Sequence, residues 1–511
     1  MATIDSIDPT TGATAGKVSD ETRPQEVASI AAAAASAAAP FRGAGRQLRA
    51  VLLRRIADDL EARGSEIVAT AQRETGLAEA RLTGELARTA YQARLFAEVV
   101  EEGSYLEAAI DHAGQTPMGP GPDLRRMLVP IGPVAVFGAS NFPLAFSVPG
   151  GDTVAALAAG CPVVVKAHDS HPALSLLTFE ILSEAAHALG APDGVLGIVF
   201  GTAAGAALVA DPNIRAVGFT GSLNGGRALA DIATRRPEPI PFYGEMASLN
   251  PVVLSAGVLT ARRAAIVEGF AGSLTGSAGQ LCTKPGIVLV PKVEAGDRFV
   301  DDAVAALTGA GPTTVLNTRI AEAFGESVDA FVASTTYRVL VRGGRAPGPG
   351  FAVTPALIEV DGDDIDPGDI EECFGPASVL VRYDDDSLDR LLGGFTGSLT
   401  ATVHAEPEEA AFAEHIAELM LPRVGRLLFG GWPTGVLVSW AQTHGGPWPA
   451  TSSQHTSVGA TSIRRFLRPV TWQSAPSALL PEELADGYTA IPRRIDGRLE
   501  IATGTRSASD H

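Results

Sequence analysis

The sequence predicts an α/β fold made of two doubly wound units in series. Three features carry that prediction. Residues 25–110 repeat apolar side chains every three to four positions. Between residues 133 and 255, short apolar runs alternate with helix-like stretches. After residue 258 the same alternation starts again. A chain of 511 residues, 46% of them apolar, has material for several cores.

Taken in order, "RQLRAVLLRRIADDLEARGSEIVATAQRETG" sets charges between apolar positions at helical spacing. "HAGQTPMGPGPDLRRMLVPIGP" then brings Gly and Pro, with a candidate strand at "RRMLVP". The runs "VAVFGA", "PVVVKA", "GVLGIVFG", "IRAVGFTGS", "PIPFYGEM" and "NPVVLS" read as buried strands, separated by helices such as "ALSLLTFEILSEAAHAL". Near-continuous apolar strands alternating with helices imply a parallel sheet covered on both faces, with ligands at the carboxyl ends of its strands. The second unit opens with the helix "RRAAIVEGFAGSL", where Val267, Phe270, Ala271 and Leu274 share a face. Its strands read as "GIVLVP", "PALIEV" and "ASVLVRY". "TSIRRFLRPVTWQ" reads as extended, and the tail from 475 as polar and irregular.

Composition excludes several roles. A net charge of −19 disfavours nucleic acid or an anionic membrane as partner. Three cysteines make no disulfide framework and fit a reducing cytoplasm. The opening "MATIDSIDPTTG" lacks the basic and apolar regions of a secretion signal, and "SIAAAAASAAAPF" is too short to span a bilayer. No metal site is expected: His168 and His171 have no ligand partners nearby, and neither an HExxH nor a serine-nucleophile G-x-S-x-G occurs.

Chemistry concentrates elsewhere. Cys282 lies in "GSAGQLCTKPG", just past a helix, in a Gly/Ser-rich loop rather than an apolar core. An ionised thiol is a strong nucleophile, and its own backbone N–H can stabilise the oxyanion that its attack creates. Gly276, Gly279 and Gly286 are read as allowing backbone to approach a ligand. A small buried thiol is the equal alternative at this point; Cys161 and Cys373 read as core residues. "FTGSLNGG" closes a strand and opens a helix, the setting of a phosphate-binding turn or of an ordinary β–α turn. Asn141, Lys166, Ser222 and Glu245 all fall at the carboxyl ends of strands in one sheet, and that coincidence singles them out.

The motifs "GASNFPLAFSVPGGDTVAALAAGCPVVVKAH", "VGFTGS", "GEMASLNP", "GQLCTKPG" and "EECFGP", in this order, resemble the NAD(P)-dependent aldehyde dehydrogenases over nearly the whole chain. "VVKAHDSHP", "GEMASLNP" and "PTGVLVSWAQTHGGPWPATSSQHTSVG" resemble the subgroup of α-ketoglutaric semialdehyde (2,5-dioxopentanoate) dehydrogenases and NADP-dependent long-chain aldehyde dehydrogenases. The resemblance implies that Cys282 is the nucleophile, Asn141 an oxyanion donor and Glu245 the base that hydrolyses a thioester. It implies cofactor contacts from Lys166, His168, Asp169, Gly221, Ser222, Gly226, Glu372 and Phe374. NAD and NADP both stay open, with a lean to NADP or dual use, because Asp169 would repel a 2′-phosphate that Lys166 and His168 would attract. Substrate contacts are expected from Arg88 or Arg94, for a distal carboxylate, or from Phe142, Trp440 and Trp448, for a long-chain or aromatic aldehyde.

The same resemblance divides the chain. It implies a cofactor-binding domain at 1–114 and 132–248, a catalytic domain at 249–455, oligomerisation strands at 115–131 and 456–475, and a tail at 476–511. A homodimer or homotetramer would pair through the edges of "RRMLVPIGP" and "TSIRRFLRPVTWQ". The reaction implied is oxidation of an aldehyde, 2,5-dioxopentanoate first, to the acid. The alternative from another class is a cysteine thioesterase or esterase without redox chemistry.

Overall fold

A computed structural model of the protein describes residues 2–433 and 435–502. The apolar runs from 134 to 245 form a five-stranded, all-parallel sheet. Its spatial order is Phe242–Glu245, Ala216–Thr220, Val134–Phe137, Val163–Lys166, Leu196–Val199. The order reverses between the central strands, so all loops at the carboxyl ends open on one side, as in doubly wound sheets generally. The helices Gly151–Ala159, Pro172–Ala188, Thr202–Ala210 and Leu223–Arg235 connect these strands. Four helices between Pro24 and Glu102 pack on this unit, placing Leu52, Leu53, Ile56, Leu60 and Phe96 in the same core as Val134, Val163 and Leu174.

The second unit is a seven-stranded sheet. The strand Val252–Leu254 lies between Ile287–Pro291 and Ser398–His404, both parallel to it, and Val424–Phe429 closes one edge. The helix Ala256–Thr275 covers one face through Val267, Phe270 and Leu274, the face read from its spacing. Beyond Phe429 the chain crosses back to the first unit. Met246 donates its N–H to Ala450 at 2.8 Å, and Glu245 bridges Thr451 in antiparallel fashion. The catalytic segment expected to run to 455 therefore already lies against the first sheet by residue 450.

The third sheet corrects two sequence expectations. Strands Leu124–Pro130 and Leu467–Gln473 pair along their full length, and residues 124–126 also pair with Ala109–Asp111 on the other side. Residues 461–466, expected to be extended, lie instead in the 3₁₀ helix Ala460–Phe466. The tail is not irregular throughout. Arg493–Ile495 and Arg498–Glu500 form a hairpin that adds to the far edge at Ala109–Asp111. Ile491, 2% exposed, fills the space above Gly103, where even a Cβ would meet it at 2.2 Å. Among the described residues no helix is long and apolar enough to cross a membrane.

Because Leu484 and Ile491 belong to the main core, the tail is integral to the fold. Ile491→Ala is expected to cost about 2–5 kcal/mol, read as a lower urea midpoint at unchanged m. An unaltered midpoint would mean the tail only rests on the surface.

Candidate active site

The site forms between the five-stranded and the seven-stranded sheet units, which contribute Glu245 and Cys282 respectively. Glu245 ends the strand Phe242–Glu245, and Lys166 ends Val163–Lys166. Ser222 caps the helix that follows Ala216–Thr220, and Asn141 lies in the loop after Val134–Phe137. The sequence placed these four correctly at the carboxyl ends of one sheet.

Cys282 arrives from the second unit on a tightly constrained loop. Ser277, Ala278 and Gly279 take positive φ values of 51°, 57° and 68° in succession. A Cβ on Gly279 would lie 2.3 Å from the Gly375 carbonyl carbon, and one on Gly286 would lie 2.8 Å from Leu249 O. Those two glycines admit neighbouring backbone, not a ligand, which corrects the sequence reading; Gly276 meets only Leu281, at 3.8 Å. Asn250, itself at φ 50°, donates to the Cys282 and Lys284 carbonyls at 2.8 and 3.0 Å. Lys284, fully buried, donates to the carbonyls of Cys373 and Ala377 at 2.9 and 2.7 Å, tying the nucleophile loop to "EECFGP".

The loop that carries Asn141 is fixed just as firmly. Glu85 accepts the N–H groups of Leu144 and Ala145, both at 2.9 Å. Its partner Arg81 holds the Asn141 carbonyl at 2.7 Å and the Ser277 hydroxyl at 2.8 Å. The Asn141 side-chain amide donates to Gln280 O at 2.7 Å, next to the nucleophile loop. That bond uses one of its two amide hydrogens.

The residue that sequence reading missed is His444. Its Nε2 lies 3.5 Å from Cys282 Sγ and 3.0 Å from Glu245 Oε1. Ser457 donates to the other Glu245 oxygen at 2.5 Å. His444 is 1% exposed, packs its ring beside Phe146, and donates its backbone N–H to the Thr456 hydroxyl. The signal available was "THGGPW", where Gly446 lets the loop lie on Ser398 O, and Gly425 opposite leaves room for the Gly445 carbonyl.

Electrostatics divides the labour between these groups. Burial pushes the Cys282 thiol well above its ordinary value, and the Glu245 and Glu372 carboxylates add to that; Arg426 pulls weakly the other way. Burial also works to raise Glu245, but His444, Ser457 and Arg465 outweigh it and hold the carboxyl below its usual range. A protonated thiol beside an imidazole, and an ionised carboxylate beyond it, can move a proton off sulfur and later accept one from water.

The expected cofactor residues occupy two patches. Ser222 accepts from Gly225 N at 3.3 Å, capping the 13-residue helix Leu223–Arg235. Gly226 brings that helix against Met246, where a Cβ would lie 2.5 Å from sulfur, and Gly221 donates to Glu245 O at 3.1 Å. A helix N-terminus set this close to the site suits a diphosphate. Lys166 pairs with Asp169 at 2.7 Å, a cation and a carboxylate both at the strand end. The His168 ring stacks on His171 at 5.4 Å, and its Nδ1 accepts Ser170 N, holding the turn beside Lys166. On the other patch Glu372 and Phe374 are half-buried, and burial lifts Glu372 to about 7 although Lys284 opposes the rise. These residues fit a dinucleotide.

A cavity of about 290 Å³ leads to Cys282, walled by Phe142, Phe146, Val436 and Leu437 and closed on one side by Arg88. Trp440 is not among its lining residues, and Trp448 instead carries the Arg227 guanidinium over its ring at 5.4 Å. Arg94 is elsewhere too, bonded to Asp58 and Glu61 on the surface. Cys161 is core, as read, and donates to Phe466 O at 3.3 Å; Cys373 is buried.

With that geometry in hand, the comparisons with known proteins agree. Residues 1–415 match the aldehyde dehydrogenase family. This chain belongs to that family: it is an oxidoreductase that uses NAD(P) to oxidise an aldehyde to the acid. It is 46% identical over 469 residues to alpha-ketoglutaric semialdehyde dehydrogenase 2 of Azospirillum brasilense, covering 90% of this chain and 89% of the relative. It is 41% identical over 507 residues to alpha-ketoglutaric semialdehyde dehydrogenase of Acinetobacter baylyi, covering 97% and 96%. Among solved structures, a 1-pyrroline-5-carboxylate dehydrogenase from Thermus shares the fold at TM-score 0.79 and 23% identity, over 92% of this chain and 90% of that one.

Glu372 yields a pH test. A ribose hydroxyl donates to the ionised carboxylate, so bound cofactor favours the deprotonated form. Affinity for NAD(P) should therefore strengthen as pH rises through about 7. Calorimetric titration from pH 6 to 8 should show this in the parent and a flat profile in Glu372→Gln.

Proposed function

We propose that the chain oxidises 2,5-dioxopentanoate to 2-oxoglutarate, with Cys282 as nucleophile, His444 as its proton acceptor, Asn141 as oxyanion donor and Glu245 as hydrolytic base. The observation that carries this reading is the placement of His444 Nε2 within 3.5 Å of the sulfur and 3.0 Å of the carboxylate. His444 takes the thiol proton through Nε2, and the charged ring then lies between two anions. Sulfur attacks the aldehyde carbon, giving a thiohemiacetal whose oxygen meets the second amide hydrogen of Asn141 and the Cys282 N–H. When bound at the Glu372 and Lys166 patches, NAD(P) supplies the hydride acceptor. Glu245 then draws a proton from water, the hydroxide attacks the thioester carbon, and the acid leaves as sulfur regains its proton.

The named relatives support the choice of substrate. A cysteine thioesterase would need the same nucleophile and base but no dinucleotide site, and Glu372, Lys166 and the Ser222 helix favour the redox reading. Two features support homo-oligomers and a cytoplasmic site of action. The strand Leu467–Gln473 keeps one unpaired edge in its sheet, and Cys282 must stay reduced.

Absorbance of NAD(P)H with 2,5-dioxopentanoate tests the activity; no reduced cofactor with any aldehyde would contradict it. Asn141→Ala should lower kcat about 10²–10³-fold with little change in KM. His444→Gln should slow alkylation of Cys282 by iodoacetamide at pH 7 at least about tenfold and shift its pH profile upward. An unchanged profile would remove His444 from the mechanism. Asp169→Ala should favour NADP, since it removes a carboxylate facing a 2′-phosphate; an unchanged kcat/KM ratio for the two cofactors would refute that assignment.

A further inference from the structure

Arg88 sits on the helix Glu79–Glu102, which borders the cavity that leads to Cys282. Its Nε donates to the Val436 carbonyl at 3.0 Å, and its guanidinium lies over the Phe146 ring at 5.2 Å. Those two contacts set the plane of the fork. The terminal nitrogens Nη1 and Nη2 are sealed from solvent and have no partner. Nearby carboxylates do not meet them: Glu85 is taken by Arg81, Leu144 N and Ala145 N, and Glu245 by His444 and Ser457. Burial of unpaired charged donors is costly, and folded proteins rarely retain it without use.

We propose that Arg88 binds a carboxylate at the far end of the aldehyde, so that the cavity selects ω-carboxylated aldehydes over uncharged ones of equal length. This rests on Cys282 being the nucleophile and names the substrate class of that same site. A guanidinium fork matches a carboxylate through two parallel N–H···O bonds, and the two orphaned nitrogens supply them. Phe142, Phe146 and Val436 line the same cavity as Arg88 and Cys282, and suit the methylenes of a short chain. An uncharged aldehyde of the same length would leave the fork unpaired. Discrimination by polar groups of this kind is larger than discrimination by one methylene.

The test has two arms on the full-length protein. In the first, kcat/KM is compared for 5-oxopentanoate and pentanal with parent, Arg88→Leu and Arg88→Lys. Arg88→Leu should lose about 10²-fold on the carboxylated aldehyde, mainly through KM, and little on pentanal, whose turnover also reports correct folding. Arg88→Lys, with a point charge but no fork, should fall between the two. In the second arm, glutarate should protect Cys282 of the parent from iodoacetamide, and not that of Arg88→Leu. Equal losses on both aldehydes, or undiminished protection of Arg88→Leu, would overturn the assignment. Protection that depends on Arg88 in an enzyme that forms no NAD(P)H would sustain the carboxylate site and sink the oxidation reading instead.

Discussion

The site depends on one docking contact. Residues 450–452 lie antiparallel to the end of the strand Phe242–Glu245, and that pairing brings a histidine from one unit to a carboxylate from the other. Cys282 reaches the same point from a third direction, 162 residues away from His444 in sequence. Without the bridge, Glu245 would be a buried carboxylate with only Ser457 as a close partner, and its burial would raise its pKa. The thiol would keep its proton, because both burial and the nearby carboxylates hold it there. The imidazole answers them in sequence: its free Nε2 takes the thiol proton, and once protonated there the ring pairs with Glu245.

Rigidity around the site follows from how each loop is fastened. Arg81 and Glu85, one turn apart on one helix, fix both the Asn141 loop and Ser277. Asn250 fastens the Cys282 and Lys284 carbonyls, and Lys284 fastens the Cys373 carbonyl in the loop that carries Glu372. These are charged or amide groups whose hydrogen bonds are satisfied inside the protein, so they specify geometry that apolar packing alone would leave loose. Arg88 is different: it lines the cavity that reaches Cys282, and both of its terminal nitrogens are buried without a partner.

Much of this was legible in the sequence, for a physical reason. Strands buried on both faces are written as continuous apolar runs, so their ends were visible, and with them Asn141, Lys166, Ser222 and Glu245. Cys282 stood out because its loop contained small residues where a core cysteine would have apolar neighbours. His444 left no such trace: it lies in an irregular loop, and its role arises only through a contact between distant segments. The glycines near Cys282 were visible but misassigned, since spacing cannot say whether a ligand or another backbone makes the close approach. The closing hairpin at 493–500 was also missed, because three-residue strands with mostly polar side chains carry too little periodicity to read. Trp440 and Trp448, near the site in sequence, are both about half exposed and are absent from the lining of the cavity at Cys282.

The central claim is that the sulfur of Cys282 carries the oxidised carbon until water activated by Glu245 releases it. Intact-protein mass spectrometry of Glu245→Gln, mixed with aldehyde and NAD(P) and quenched in acid, tests it most directly. The account predicts stoichiometric addition of one acyl group, mapped by peptide analysis to Cys282, with one equivalent of NAD(P)H formed in the same burst. Steady turnover without any adduct, or an adduct on a different residue, would contradict it.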